Sequence, residues 1–395
     1  MGSFANAQTQ TVTFSYTGAP ITIPPARANV AAVAEINVPT VLTINSVTVQ
    51  VQVTYPAAGD LTMYLFSPNG TRTILLQNNC GNLANVNTTF DDTAQSKFSD
   101  FCPVEPGRGP FRGNEPLANS RGEISAGNWD LVIQNTKSDT NTGLLQTFAM
   151  TIAGTPITRP GFDSSSVVNS ASLIGGVVAP GELVSIFGLA LGPQAGVAAT
   201  PGTAPTSLGG TTVMFNGTPV PILYSSYYQL NVQAPYALTP GATARIQVQN
   251  SGGTSSSISL DVLSSAAGLF TAQTNGRGQV LAVNQNGTIN SVSNPAAAGS
   301  YVSLYAEGLG AVTPAVNEGT PAPTNPLSRV NGPVTVVAGG LTAPVLFAGL
   351  APGYAGLYQI NIQIPPTTVS GPVRLFLVTP NGYSSQGGVF LQVRQ

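Results

Sequence analysis

Side chains that could do chemistry are few, and most of them lie in the first part of the 395-residue chain. Ten of the 15 acidic residues precede residue 160, and the sequence contains no histidine. Without histidine, Ser-His-Asp and Cys-His catalysis, His-ligated zinc and the usual proton shuttle are excluded. Nucleophile-elbow, P-loop and zinc-protease motifs are also missing from the sequence.

The remaining route to catalysis is a pair of carboxylates acting as glycosidase acid and base. Asp91, Asp92 and Glu115 are the candidates for such a pair. Adjacent residues of a strand point to opposite faces, so at most one of Asp91 and Asp92 would face a given cleft. We therefore expect a protein that is not an enzyme.

The two cysteines, Cys80 and Cys102, lie in one acidic and polar segment. Two interpretations stay open: one disulfide in a protein outside the cytosol, or two free thiols in a cytosolic protein. The first is favoured because both cysteines fall in one loop-rich region and no CxxC motif is present. A disulfide that closes so short a loop stabilises the fold by about 3 kcal/mol.

Low charge limits the classes of partner. Charged residues make up 7% of the chain, against about 25% in ordinary soluble domains. The formal net charge is −2 and there is no basic run, which excludes a nucleic-acid partner. The one long apolar stretch, residues 173–192, is interrupted by Pro180, Gly181 and Glu182, so it predicts two strands and a turn rather than a membrane span.

The elements that must position these side chains are strands. Apolar and polar residues alternate over residues 11–16 and 44–55, and no stretch shows a convincing helical period. Residues 77–119 look like an irregular insertion. We predict an all-β protein of consecutive β-sandwiches.

A repeat organises the second half of the chain. Residues 228–235 (YQLNVQAP) return as residues 358–365 (YQINIQIP), and the alternation in both copies is typical of a strand with one buried face. Upstream, residues 179–188 align with 298–307. The predicted domains are a signal-peptide remnant or tag (1–7), a sandwich (8–158), a linker (159–166) and two similar sandwiches (167–264 and 265–395).

The first sandwich resembles a known family, the P domain (Homo B domain) of proprotein convertases and secreted bacterial proteases. The motifs that carry the resemblance occur in order at residues 59–62, 65–71, 88–94, 109–112, 126–131, 139–145 and 148–152. The loop of residues 78–103 differs from the family because it carries the cysteine pair. We also expect no protease domain before this sandwich.

The P-domain resemblance implies a jelly-roll sandwich that often binds calcium. By position, Asp60, Asp91 and Asp92 match residues that commonly face the cation, and Glu115 and Asp139 are weaker candidates. Ca²⁺ takes six to eight oxygen ligands, which loops rich in carboxylate, Asn and carbonyl groups supply. The alternative is that these aspartates form turns and cap loops.

The repeated half resembles a tandem domain family found at the C-termini of secreted bacterial proteins. The resemblance rests on residues 167–172, 179–181, 187–188, 228–235, 268–271 and 284–290. It implies two immunoglobulin-like (Ig-like) sandwiches of the IPT/TIG type and an extracellular location, but no activity.

We expect a secreted, structural or adhesive protein of the bacterial cell surface. An N-terminal strand, residues 8–16, could pair with an open sheet edge of a second copy and build a filament. Two alternatives stay open: an accessory region of a secreted protease system, and a carbohydrate-binding module. For the latter, Tyr224, Tyr227 and Tyr228 could stack on sugars, although tyrosines near a core strand more often pack in the core.

Overall fold

The structure is a computed structural model that describes residues 8–102, 109–200 and 202–395. The predicted remnant or tag, residues 1–7, lies outside the described residues. The chain divides into two compact units, Met1–Ile157 and Thr158–Gln395. Apart from short 3-10 turns and one four-residue helix, the described elements are strands, which confirms the all-β prediction.

The N-terminal unit is a sandwich of two antiparallel sheets. Its elements are β1 (Gln10–Ser15), β2 (Ile21–Ile23), β3 (Ala32–Val38), β4 (Leu42–Thr54), β5 (Leu61–Phe66), β6 (Arg72–Gln77), β7 (Val86–Phe90), α1 (Phe98–Phe101), β8 (Gly127–Asn135) and β9 (Gly143–Pro156). One sheet has the order β1-β9-β4-β7 with β2 also on β9, and the other has the order β3-β8-β5-β6.

The alternation of inward and outward side chains along the strands explains the core of this unit. In β4 the side chains of Val47, Val49, Val51 and Val53 are buried, whereas the residues between them face outward. From the second sheet, Trp129 and Leu131 of β8 enter the same core. The two sheets therefore share one hydrophobic interior.

The expectation of an irregular insertion at residues 77–119 is wrong in part. The segment contains β7, which pairs with β4 and buries Val86 and Phe90, and it also contains α1. The strand was missed because its five residues include Asn and Thr, and turn-forming residues precede it.

The C-terminal unit contains two hydrophobic cores, one within residues 167–262 and one within residues 267–393. Around the first core lie β10 (Val167–Asn169), β11 (Val177–Val178), β12 (Leu183–Phe187), β13 (Val197–Ala198), β14 (Thr212–Phe215), β15 (Thr218–Pro219), β16 (Ile222–Ser225), β17 (Gln229–Gln233), β18 (Thr243–Asn250), β19 (Gly253–Thr254) and β20 (Ile258–Val262). They form one sheet in the order β10-β12-β17-β16-β13 and another in the order β11-β20-β18-β14-β15, with β19 on β18.

Strands around the second core repeat this plan. They are β21 (Gly268–Leu269), β22 (Gly278–Gln279), β23 (Ala282–Asn284), β24 (Ala296–Ala297), β25 (Tyr301–Glu307), β26 (Val312–Thr313), β27 (Arg329–Val330), β28 (Thr335–Ala338), β29 (Leu341–Ala343), β30 (Val345–Leu350), β31 (Tyr358–Gln363), β32 (Gly371–Val378) and β33 (Val389–Arg394). The sheet orders are β21-β25-β31-β30-β27-β26, with β23 on β25, and β22-β33-β32-β28-β29, with β24 on β33.

The repeated octapeptides are equivalent core strands. Leu230 and Val232 of β17, like Ile360 and Ile362 of β31, are fully buried. Each strand lies between two equivalent neighbours, which are β12 and β16 in the first copy and β25 and β30 in the second. The repeat thus fixes the centre of both sandwiches.

The upstream alignment of the repeat is wrong by one residue. Ser185 lies opposite Asn231, and Ser303 lies opposite Asn361, so Leu183 corresponds to Tyr301. Because side chains alternate between faces, a shift of one residue would exchange the buried and outward faces of the strand.

The predicted linker, residues 159–166, lies against the first Ig-like sandwich. Gly161 forms a β-bridge with Leu189, and Asp163 begins a 3-10 turn by accepting a hydrogen bond from the N–H of Ser166 at 3.0 Å. These contacts hold the segment to the strands that follow it.

Candidate functional site

Cys80 and Cys102 form a disulfide with their Cα atoms 5.2 Å apart, as predicted. Cys102 ends α1, whose Phe98 is buried between the rings of Phe90 and Phe111. The disulfide therefore ties the turn after β6 to a helix that is anchored in the core.

Three of the five predicted metal ligands accept hydrogen bonds from main-chain N–H groups. Both carboxylate oxygens of Asp92 accept main-chain N–H groups, from Leu117 at 3.0 Å and Ala118 at 2.7 Å. Asp91 accepts the N–H of Thr93 at 2.8 Å, and Glu115 accepts the N–H of Ile74 at 2.8 Å. Charged acceptors of this kind fix loops.

The other two, Asp60 and Asp139, lie at the loop that follows β8. Asp60 accepts the Asn141 side-chain amide at 2.8 Å, and the Thr136 N–H donates to the main-chain oxygen of Asp60 at 2.8 Å. Asp139 is exposed in the same loop. Burial, followed by the charge of Asp60, raises the pKa of the Tyr55 hydroxyl to about 12.

These five carboxylates do not form a metal-binding cage. Within the described ranges, no group of three His, Cys, Asp or Glu side chains could hold a metal ion. A Ca²⁺ site normally gathers several carboxylates around one point. Calcium binding stays a prediction from the sequence.

A second pair of carboxylates lies where the two Ig-like sandwiches meet. Glu182, just before β12, is 1% exposed, and Glu307, at the end of β25, is fully buried. Glu182 accepts the Ala179 N–H at 2.5 Å and the Asn169 amide at 3.1 Å. Glu307 Oε2 accepts the Leu183 N–H at 2.8 Å, whereas its Oε1 is buried without a hydrogen-bond partner among the described residues.

The surroundings of this pair favour the protonated form. Burial raises the pKa of Glu182 to about 8, although its hydrogen bonds from Ala179 and Asn169 act in the opposite direction. Burial, and next the charge of Glu182, raises the pKa of Glu307 well above its ordinary value. A low-dielectric site disfavours two negative charges side by side. At neutral pH the pair therefore retains protons.

The joint between the sandwiches contains further polar contacts, and we define it by Asn169, Glu182, Gln233, Glu307 and Glu318. The Asn169 amide donates to the Ala266 oxygen at 2.9 Å, and Gln233 accepts the Gly319 N–H at 2.7 Å. Glu318 accepts the Tyr236 N–H at 2.7 Å. The two sandwiches are thus fixed to each other by specific hydrogen bonds.

Sequence reasoning missed this joint. One signal was available: Glu182 and Glu307 are two of only five acidic residues after residue 160, and both adjoin apolar strand segments. A carboxylate there must be either paired or protonated if the strand is covered. Nothing in the sequence showed that the second Ig-like sandwich covers the strand segment beside Glu182.

Two equivalent grooves lie on the sheets that contain the repeated strands. Groove A, of about 390 Å³, is lined by Ser185, Phe187, Leu223, Gln229 and Asn231, with residues of neighbouring segments. Groove B, of about 420 Å³, is lined by Tyr301, Ser303, Leu346 and Asn361, among others.

The same backbone features shape both grooves. Ser185 faces Asn231 across β12 and β17, and Ser303 faces Asn361 across β25 and β31. A register break lies beside each groove, at Leu223 in β16 and at Leu346 in β30. The repeat therefore duplicates a surface as well as a core.

The three tyrosines predicted as sugar-stacking candidates differ in exposure. Tyr227 is buried and its ring contacts that of Tyr228 at 5.0 Å between centroids. Tyr224 is half-buried, and Tyr228 is 47% exposed. Tyr227 accordingly has the packing role that was the alternative.

No helix within the described part of the chain has the length and apolar composition needed to cross a membrane.

Comparison with solved structures finds distant similarity. The Aeromonas sobria serine protease in complex with the chaperone ORF2 is 18% identical over 38% of this chain and 28% of that chain, with a TM-score of 0.27. Bacteroides ovatus SGBP-B, in complex with a mixed-linkage heptasaccharide, is 12% identical over 95% of this chain and 63% of that one, with a TM-score of 0.25. Domains 5-6 of the S-layer protein SbsC are 11% identical over 60% of this chain and 99% of that one, with a TM-score of 0.20.

The chain spans less than two thirds of the length of the first two of these structures. A comparison with curated proteins gave no match. A family model does match: residues 44–152 correspond to the proprotein convertase P-domain. This match confirms the resemblance found in the sequence, and the N-terminal unit carries a proprotein convertase P-domain over residues 44–152.

Proposed function

We propose that the chain is a secreted, non-catalytic structural or adhesive protein of the cell surface. The observation that carries this proposal is the joint between the two Ig-like sandwiches. Interfaces between domains of one chain are commonly polar and permit relative motion. Here the fully buried Glu307 accepts a hydrogen bond from the main-chain N–H of Leu183, which is half-buried. A fixed joint suits a protein that displays or spaces other components.

Two further observations support a location outside the cytosol. The Cys80–Cys102 disulfide suits an oxidising compartment. The C-terminal unit has few charged residues, so subunits or surfaces can approach it with little electrostatic repulsion.

The test of this proposal is made on native cells. Antibody labelling of intact cells should detect the protein at the surface, with Cys80 and Cys102 resistant to alkylation until a reductant is added. A strain lacking the gene should attach less well to surfaces. Retention of the protein inside the cell with free thiols would contradict the proposal, as would hydrolytic activity of the purified chain.

Self-association into a filament is the finer part of this proposal. In the N-terminal unit, β1 pairs with β9 and has no partner among the described strands on its outer side. An open edge can accept a strand of a second copy. Negative-stain electron microscopy and light scattering of native secreted material should show ordered assemblies. Dispersed monomers at micromolar concentration would contradict self-association alone.

The P-domain match favours a second candidate, an accessory region that stabilises or targets a secreted protease. Affinity purification of the secreted chain would then recover a subtilisin-like catalytic protein. Recovery of the chain without any protease would favour the structural role.

A further inference from the structure

Grooves A and B are both lined by a serine and an asparagine at the same register positions, Ser185 with Asn231 and Ser303 with Asn361, although the core does not require them. Core packing accounts for the inward residues Leu230 and Ile360. On the outward face, any residue compatible with water and a strand would suffice. The repetition of Ser, Asn and Gln at the same register positions therefore calls for another explanation.

The paired amides are oriented in the same way in both copies. Gln229 Nε2 donates to Asn231 Oδ1 at 2.8 Å, and Gln359 Nε2 donates to Asn361 Oδ1 at 2.8 Å. Among the described residues, the asparagine Nδ2 groups and the glutamine Oε1 atoms have no hydrogen-bond partner. Each pair thus offers one donor and one acceptor in fixed positions. Gln229 and Asn231 both line groove A, whereas in groove B only Asn361 belongs to the lining and Gln359 adjoins it through this hydrogen bond.

A ligand that carries neighbouring hydroxyl groups can satisfy the free donor and the free acceptor of each amide pair. A hydroxyl both donates and accepts, so two adjacent hydroxyls can satisfy the free amide N–H and the free amide oxygen together. A carboxylate or phosphate could satisfy the donor alone. Groove A adds Thr271, whose buried Oγ1 has no hydrogen-bond partner among the described residues.

Charge and apolar surface restrict the ligand further. No Asp, Glu, Lys or Arg lines either groove, so an ionic ligand would lose its hydration without gaining an ion pair. Groove B is bordered by Leu346 and Tyr301, which are 53% and 44% exposed. Leu183 and Leu223 have the corresponding places in groove A, which Phe187 also borders. Such side chains can cover the C–H face of a sugar ring.

We propose that grooves A and B form a duplicated binding site for an uncharged polysaccharide. In this proposal one polymer with a repeating unit contacts both grooves, and the second contact then forms at a high effective concentration. This inference deepens the proposed adhesive function and rests on it, because it names what the protein would adhere to.

Binding is tested with the full chain and defined probes. Cellulose, β-1,3-glucan and mannan serve as neutral polysaccharides, and alginate serves as the charged one. We expect retention by at least one neutral polysaccharide, with alginate not bound. Failure to bind any of the three neutral polymers at a protein concentration of about 100 μM would overturn the inference.

Substitutions locate the site. Loss of one hydrogen bond of about 1 kcal/mol predicts that N231A or N361A lowers the affinity about fivefold. The double variant should lose the contribution of simultaneous binding as well and bind at least about 30-fold more weakly. Q249A, an exposed residue of β18 in the opposite sheet, is the matched control and should bind as the unsubstituted chain does.

The outcomes separate this inference from the proposed function. If N231A/N361A binds as tightly as Q249A, the grooves are not the site. If the chain binds a charged polymer or an extended peptide at the grooves instead, the ligand class is wrong. Surface labelling and attachment of cells are measured independently, so the adhesive role can persist when the polysaccharide inference fails.

Discussion

The carboxylate of Glu307, in the second Ig-like sandwich, accepts a hydrogen bond from the main-chain N–H of Leu183, in the first, at 2.8 Å. The two residues are separated by 124 positions. Because Glu307 is fully buried and its second oxygen has no hydrogen-bond partner among the described residues, the ionisation of this side chain bears directly on the attachment of the two domains.

We predict that the C-terminal unit loses stability as pH rises. In the folded chain Glu182 keeps its proton up to about pH 8, whereas its ordinary pKa is near 4.5. Between these values the folded state binds more protons than the unfolded state. The free energy of unfolding is therefore highest below about pH 4.5 and declines as pH rises through about 8. Melting temperatures measured from pH 4 to 10 check this.

The Glu307→Gln variant should flatten that decline. Its amide oxygen can accept the Leu183 N–H, and the amide does not titrate between pH 4 and 10. Tyr236, Tyr358, Tyr383 and Glu318 also face this region, but burial raises the pKa of all three tyrosines. Asp261→Asn, on the exposed face of β20, is the control. An equal pH profile for both variants would show that Glu307 does not couple folding to pH.

Reduction of the disulfide should destabilise the N-terminal unit. The cysteines are 22 positions apart, so loss of the cross-link costs about 3 kcal/mol through the greater entropy of the unfolded chain. Urea denaturation of the Cys80→Ser/Cys102→Ser variant measures the effect. The C-terminal unit serves as an internal control. A loss below about 1 kcal/mol would mean that α1 and its Phe98 hold the loop without the cross-link.

The first strand contributes to its own sheet. Val12 and Phe14 of β1 pack against the core, whereas Thr11 and Ser15 are exposed. We expect Val12→Asp/Phe14→Asp to destabilise the N-terminal unit by about 2 kcal/mol or more, because partly buried apolar surface is replaced by charge. Thr11→Asp/Ser15→Asp should change stability little. Equal stability of the two variants would indicate that β1 leaves its sheet in solution.

Asp92 should stabilise its loop whether or not calcium is present. Its two oxygens accept the N–H groups of Leu117 and Ala118, so Asp92→Ala leaves two donors without this charged partner. We expect a loss of about 2 kcal/mol, equal with calcium and with a chelator. Asp100→Ala, at an exposed position outside the five candidate ligands, is the control. A loss seen only with calcium would instead identify Asp92 as a cation ligand.

The repeated strands show why much of the fold was predictable. The alternation of apolar and polar residues in 228–235 and 358–365 predicts which side chains are buried, because every second residue of a strand points inward. The P-domain motifs and the cysteine pair were equally local signals. The short strand β7 was not, since its composition differs little from that of a loop.

The candidate sites were less predictable for a physical reason. A carboxylate that binds a cation and one that accepts main-chain N–H groups both need oxygen in a loop, so the surroundings of Asp92 could not be read from its neighbours in sequence. For Glu182, the alternating pattern of the strand that follows indicates that one face of this strand is covered. It does not indicate which part of the chain covers it. The joint and the grooves depend on contacts between residues more than 100 positions apart or on neighbouring strands.

Retained protons in the joint also affect how the intact molecule migrates in an electric field. The isoelectric point of about 5.1 that follows from the sequence assigns ordinary acidity to every carboxyl group. Because the pKa values of Glu182 and Glu307 are raised, the folded chain at pH 7 is less negative than its formal charge of −2. Native isoelectric focusing should therefore place the folded chain at a higher pH than focusing in urea, and the difference between the two bands reports directly on the closed joint.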